Sequence, residues 1–138
     1  MAVDLPPGYH PSENETFMNP RQIEYFRRKL IAWKESILKE SQETLQHLQE
    51  DSLREPDIAD RASSETDWSV ELRTRDRQRK LIAKIDGALM RIERGEYGYC
   101  EVSGEAISLD RLDARPIATM TFEAQESHER QEKVYRDE

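Results

Sequence analysis

The stretch Arg54-Glu55-Pro56-Asp57-Ile58-Ala59-Asp60-Arg61-Ala62 decides what this chain can fold into. Long helix-forming sequence lies on both sides of it. Pro56 has no amide hydrogen to donate and disfavours helix at Glu55, so a helix arriving from Asn19 must stop here. A second helical pattern starts a few residues later and runs to about Glu93. Two long helices joined by a short connection fold back as an antiparallel hairpin. With roughly 30–35 residues per arm and ~1.5 Å per residue, the tip at 55–62 is expected ~45–50 Å from the base. Two carboxylates three residues apart, Asp57 and Asp60, mark that tip.

The arms carry the pattern such a hairpin needs. Asn19-Pro20 pairs a capping side chain with proline at the first helical position. Ile23, Phe26, Leu30, Trp33 and Ile37 then recur at spacings of three and four, a coiled-coil seam. Beyond Leu38 the seam thins to Ser41, Thr44 or Leu45, and Leu48, which predicts looser pairing toward the tip. The return helix offers Trp68, Leu72, Leu81, Ile82, Ile85, Leu89 and Ile92, with Arg75 and Arg79 on the same stripe. Long arginine stems pack while their guanidinium groups reach water. In antiparallel register 82-85-89-92 should face Ile23 to Trp33, and Gly95 is placed to end the helix.

Composition agrees with solvated helices rather than a large core: 36% of residues are charged and only 7% aromatic. No apolar run approaches the ~18 residues of a membrane span, and no basic-then-apolar signal pattern opens the chain, so a cytoplasmic protein is expected. The single cysteine, Cys100, leaves no internal disulfide. The net charge of −8 is unevenly spread: residues 68–94 hold eight bases against four acids, while 95–138 hold five against eleven. So acidic a chain gains little from counterion release on DNA. Its basic helix face suits an anionic ligand or an acidic protein surface.

Three regions follow. Residues 1–18, with Pro6, Pro7, Gly8 and Pro11, read as a flexible leader that Tyr9, Phe17 and Met18 pin in part to the body. Residues 19–94 are the antiparallel coiled coil. Residues 95–138 form a small globular domain: a glycine-containing hairpin over Tyr97–Ile107, a segment broken by Pro116, and a closing helix that begins near Thr121.

Several motifs in fixed order resemble the DksA/TraR family of transcription factors, which act on bacterial RNA polymerase. They are Asp57-Ile58-Ala59-Asp60-Arg61-Ala62, Glu71-Leu72-Arg73-Thr74-Arg75-Asp76-Arg77, Arg79-Lys80-Leu81-Ile82, Tyr97-Gly98-Tyr99-Cys100 and Arg111-Leu112-Asp113-Ala114-Arg115-Pro116. The resemblance spans roughly residues 19–134. It implies a mainly α protein, a long antiparallel coiled-coil hairpin on a small globular domain that carries a degenerate zinc-ribbon-like hairpin and a C-terminal helix. It implies a non-enzymatic regulator that inserts its coiled coil into the polymerase secondary channel. There it modulates initiation at rRNA and amino-acid biosynthesis promoters in the stringent response, together with the alarmone ppGpp. Such a protein is a monomer, with neither sequence-specific DNA binding nor a membrane partner. By resemblance, Asp57, Asp60 and Ala62 form the functional tip and Arg77 and Thr74 contact polymerase. Thr74 stands where the family pattern has asparagine. Leu81, Lys84 and Arg115 lie near ppGpp, and Gln125 stands where the pattern has a further lysine.

The family pattern also holds two C-x-x-C pairs that bind structural zinc. Here those places are Cys100, Ser103, Thr121 and Ala124. Structural zinc takes four thiolate or imidazole donors. One thiolate, two hydroxyls and a methyl do not supply them, and His128 adds one ligand at most. No zinc is expected on this count, and the ribbon is read as held by packing of Tyr97, Tyr99, Ile107, Leu112, Met120 and Phe122.

Each functional reading has a plainer rival. Asp57 and Asp60 are also ordinary helix-cap and turn chemistry, and Ala62 is a helix former. Arg73, Arg77, Lys80, Lys84, Arg91 and Arg94 also describe a solvated helix face. Cys100 has no cationic neighbour in sequence to activate it and reads as inert rather than as a redox sensor. Two other functions stay open: a Gre-like factor whose tip aspartates assist transcript cleavage or rescue of stalled polymerase, and a purely structural coiled-coil adaptor.

Overall fold

The structure, a computed structural model, describes residues 3–54 and 58–137; for 51–54, 58–64 and 135–137 it describes the backbone alone. Among the described residues four helices follow in order: α1 (Pro20–Arg54), α2 (Ile58–Arg94), α3 (Leu109–Ala114) and α4 (Phe122–Asp137). The chain is mainly helical, a coiled-coil hairpin with a small domain. Among the described residues no strand forms; Tyr99 and Ala106 make an isolated antiparallel bridge. No described helix is long and apolar enough to cross a membrane.

The helix ends sit where capping chemistry puts them. Asn19 Oδ1 accepts from the backbone N–H of Arg21 and Gln22 at 2.9 and 3.0 Å, and Pro20 opens α1. Gly95 takes φ +74°; its N–H donates to Ile92 O and that of Glu96 to Arg91 O, the paired bonds of a Schellman stop. Thr121 Oγ1 accepts from Ala124 N at 3.2 Å and opens α4. Proline at 56 and the 55–57 link lie outside the described residues.

By their contacts the residues group into two units. One holds residues 1–30 with 85–138, the other 31–84.

The first unit has a continuous apolar core. Phe26, Leu30, Ile85, Ile107 and Leu112 are fully buried, joined by Ala88, Tyr97, Cys100 and Ala118. Burial here also takes polar side chains. Gln22 is 0% exposed; its Oε1 accepts from Met18 N at 2.8 Å and its amide nitrogen donates to Ser12 O. Glu24 is held between Arg27 and Arg28, whose Nε atoms both approach it at 2.8 Å. The Arg27 hydrogen bond, with that of Arg28, outweighs desolvation and brings the Glu24 carboxyl down to about 2. The leader packs on the same unit: Tyr9 and His10 against Tyr25, Phe17 edge-on to Tyr99, and Met18 over Gly98. Phe122 and Tyr99, expected in this core, are exposed at 62% and 38%.

The second unit is a paired stretch of α1 and α2. Its seam is narrow: Ile37 is buried, while Ser41, Thr44, Leu45 and Leu48 are half-buried as their spacing predicts. On α2 the phase differs from expectation. Leu72 is 59% exposed, Arg75 and Arg79 face solvent, and Gln78 turns inward. Residues 74–80 are all polar, so no apolar side chain there sets the phase, and Leu81 and Ile82 fix it instead. Gln78 Oε1 is the one buried side-chain polar atom without a hydrogen-bond partner among the described residues.

Candidate functional site

The residues picked out by the resemblance fall into three places. Asp57 lies outside the described residues, and Asp60 and Ala62 are described only as helical backbone at the start of α2.

Thr74, Arg77, Leu81 and Lys84 stand on α2 in the second unit. Thr74 is half-buried, and its hydroxyl folds back onto its own helix, donating to Val70 O at 3.1 Å. The same oxygen accepts from Arg77 Nη2 at 3.3 Å, which steers the guanidinium along the helix. One turn away Asp76 holds both Arg79 and Lys80, at 2.7 and 3.2 Å. Lys80 first and Arg79 second keep its carboxyl below the usual range. This carboxylate offsets two cations, while Arg73 and Arg77 bond only to neutral hydroxyls. Val70 and Leu72 lie exposed beside them and line a groove of about 580 Å³ with Arg73, Asp76 and Arg77. An apolar strip flanked by guanidinium groups has the chemistry to meet an acidic surface.

Arg115 belongs to the first unit, at the C-terminal cap of α3. Its side chain is exposed and lines a groove of about 410 Å³ with Ser108, Arg111, Thr121 and Glu123. Sequence reasoning missed what anchors this segment. Lys29 Nζ donates to both Asp113 O and Asp113 Oδ1, at 2.6 and 2.7 Å, and Tyr25 OH donates to the same Oδ1 at 2.6 Å. Burial raises the Asp113 carboxyl, but Lys29 and Tyr25 leave it below its ordinary value. Burial and the adjacent carboxylate push the Tyr25 phenol up to about 12. No local pattern links partners so far apart in the chain. Gln125, where the family pattern has lysine, donates to Glu129 at 3.0 Å.

Of the four zinc-pattern positions, Ser103 and Thr121 meet at the Cys100 sulfur, and Ala124 joins them through Thr121. Cys100 is buried, and its Sγ accepts from the Ser103 backbone N–H at 3.4 Å. Burial raises this thiol. Hydrogen bonds from the Ser103 hydroxyl and from the backbone N–H groups of Ser103, Thr121 and Val102 outweigh that and bring it to about 6. No cation stands beside Cys100 in sequence; these hydrogen bonds lower the thiol, which stays buried. Ala124 N–H caps onto Thr121 as described above.

A basic-faced helical hairpin joined to a small knuckle-bearing domain defines the class: a coiled-coil protein with a zinc-finger-type module. Residues 22–92 match the family model "DnaK suppressor protein DksA, N-terminal domain", and 95–130 match "Prokaryotic dksA/traR C4-type zinc finger". The chain belongs to the DksA family. It is 67% identical over 129 residues to the RNA polymerase-binding transcription factor DksA of Caulobacter vibrioides, covering 94% of this chain and 91% of that one. To the factor of the same name from Escherichia coli K12 it is 41% identical over 125 residues, covering 91% and 83%. It resembles the solved structure of transcription factor DksA2 from Pseudomonas aeruginosa with a TM-score of 0.78 at 38% identity, covering 85% and 90%. The family is one of non-enzymatic transcription factors, in agreement with the reading that this chain is not an enzyme.

The expectation of no zinc is corrected by the second of these matches. A C4-type zinc finger across 95–130 points to zinc binding. Counting thiolates tested four side chains, whereas the match reads the whole module, whose knuckle is kept around Cys100. The donors themselves do not complete a four-thiolate set: Cys100, Ser103, Thr121 and Ala124 hold the four places. Among the described residues no three His, Cys, Asp or Glu side chains gather as a metal cluster.

Proposed function

We propose that this chain is a regulator of bacterial RNA polymerase in the cytoplasm, acting as a monomer without sequence-specific DNA binding. The observation that carries this is the 67% identity, over nearly the whole chain, to a protein named for binding RNA polymerase. The basic, partly apolar α2 face supports a protein partner, with Arg77 and Thr74 as polymerase contacts. In this reading the coiled coil enters the secondary channel, and the tip carboxylates Asp57 and Asp60, with small Ala62 beside them, modulate initiation. The affected promoters are those of rRNA and amino-acid biosynthesis in the stringent response. The alarmone ppGpp is co-regulator, with Leu81 and Lys84 on α2 and Arg115 after α3 as the residues near it.

Transcription in vitro from a ribosomal promoter, with and without ppGpp, tests the reading. Inhibition that deepens with ppGpp is expected. No effect on any sensitive promoter, with polymerase binding absent, overturns it. Shortened transcripts from arrested complexes would instead favour a cleavage-assisting factor.

A further inference from the structure

Helix α3 has only six residues, too few to hold itself in water. Its placement therefore comes from outside. The Ser108 hydroxyl caps its start by accepting from Arg111 N at 3.2 Å, and Leu109 and Leu112 bury its lower face. Its C-terminal end, where carbonyls lack helical partners, is held by a lysine from another helix. Lys29 Nζ bonds the Asp113 carbonyl oxygen and carboxylate together, and Tyr25 OH closes on the same carboxylate. Tyr9 meets Tyr25 edge-on and His10 meets it at a tilt, with ring centroids 6.1 and 5.5 Å away, and they cover the cluster from the leader side. Three residues beyond Asp113, Tyr97 OH fixes Pro116 O at 2.7 Å. Arg115 is thus strung between two clamped points, its own N–H bonded back to Arg111 O at 2.8 Å.

The geometry points to Lys29 and Tyr25 as positioning residues for Arg115, acting through Asp113 and setting the sensitivity of the alarmone response. This inference rests on the reading that Arg115 lies near ppGpp. A guanidinium recognises phosphate through a fixed fork of donors, so its worth depends on where its backbone is held. Lys29 sits on the α1 side of the clamp and reaches the alarmone-proximal residue only through Asp113. Removing the clamp should loosen Arg115 without touching the tip or the α2 face.

The experiment is a ppGpp titration of promoter inhibition with RNA polymerase holoenzyme and the full chain. It compares the parent with Lys29→Met, Lys29→Arg and Arg115→Ala. Lys29→Met keeps the apolar stem and deletes the ammonium. It is expected to raise the ppGpp concentration for half-maximal effect about three- to tenfold, with inhibition in the absence of ppGpp unchanged. Lys29→Arg, which restores a cation and donors, should return the midpoint to within about twofold of the parent. An unmoved midpoint in Lys29→Met, beside a shifted one in Arg115→Ala, overturns the positioning role and leaves the alarmone reading standing. Equal loss of the ppGpp-dependent and ppGpp-independent effects makes the clamp merely structural and also overturns it. No shift in Arg115→Ala overturns the alarmone reading of Arg115 and this inference with it.

Discussion

The two units are built from the same two long helices and yet are held by different means. In residues 1–30 with 85–138, side chains from helices, knuckle and leader converge, and even Gln22 and Glu24 are buried with their hydrogen bonds satisfied. In residues 31–84, Ile37 is the buried apolar residue among those described, and Leu38, Val70 and Leu72 are about half exposed or more. One sequence style, amphipathic helix, therefore serves two ends. Where further layers cover it, the seam becomes a core. Where nothing covers it, the seam only pairs the arms, and the outer faces stay available to a partner.

If this contrast is right, truncation should hurt the first unit far more. Phe26→Ala, at 0% exposure, should cost about 3–5 kcal/mol in urea unfolding, and Ile37→Ala about 2 kcal/mol, the low end for its type. Native-state hydrogen exchange along α1 should then show amides of 22–30 opening only with global unfolding and those of 38–50 opening locally. Uniform protection along the helix would break the contrast.

Acid sharpens it. The folded-state carboxyl of Glu24 is depressed to about 2, so its stabilisation is full above the unfolded value near 4.5 and is lost as pH falls toward 2. A contribution on the order of 1–3 kcal/mol should disappear across that window. Glu24→Gln should remove most of this acid dependence while lowering the melting temperature at neutral pH. A parent whose stability is flat from pH 5 to 2 would show that Arg27 and Arg28 hold Glu24 only loosely.

The leader contact is smaller. Gly98 has φ +93°, and a Cβ there would stand 2.9 Å from Met18 Cε. Gly98→Ala should cost about 1–2 kcal/mol, most of it backbone strain, because the methionine end can shift aside. Melting curves of Gly98→Ala with and without Met18→Ala check this: the second change should restore only a minor part.

The smallest effect on stability belongs to the tip. Asparagine caps a helix about as well as aspartate, and Asp60, in the first turn of α2, loses only a helix-dipole interaction, so Asp57→Asn and Asp60→Asn should each change stability by no more than ~0.3–1 kcal/mol. Promoter inhibition should nevertheless fall sharply with polymerase affinity kept. Variants that inhibit like the parent would reduce both carboxylates to turn chemistry.

Much of this arrangement could be read from the chain itself, for reasons that particular residues show. Asn19-Pro20, Gly95 and Thr121 mark helix ends because caps depend on a few adjacent residues. Phe26, Leu30, Ile37 and Ile85 announce the seam by period, and the family by several motifs in order. Ala88, Gln22 and Glu24 do not announce their burial, since small or polar side chains carry no period. The polar run 74–80 hides the phase of α2, so periodicity puts Leu72 on the seam while the structure exposes it. The Lys29–Asp113 clamp joins residues with no local relation. A tally of ligands points away from zinc, whereas the module around them carries the zinc-finger family signal.

Gln78 has a consequence for durability. A buried amide oxygen without a donor is a standing penalty, and a leucine of similar volume would remove it. Gln78→Leu should stabilise the hairpin by about 1 kcal/mol. The residue marks unspent thermal headroom: a variant bred for heat tolerance has a ready first substitution at 78, on the inward side of α2 and not on the exposed face that its neighbour Arg77 occupies.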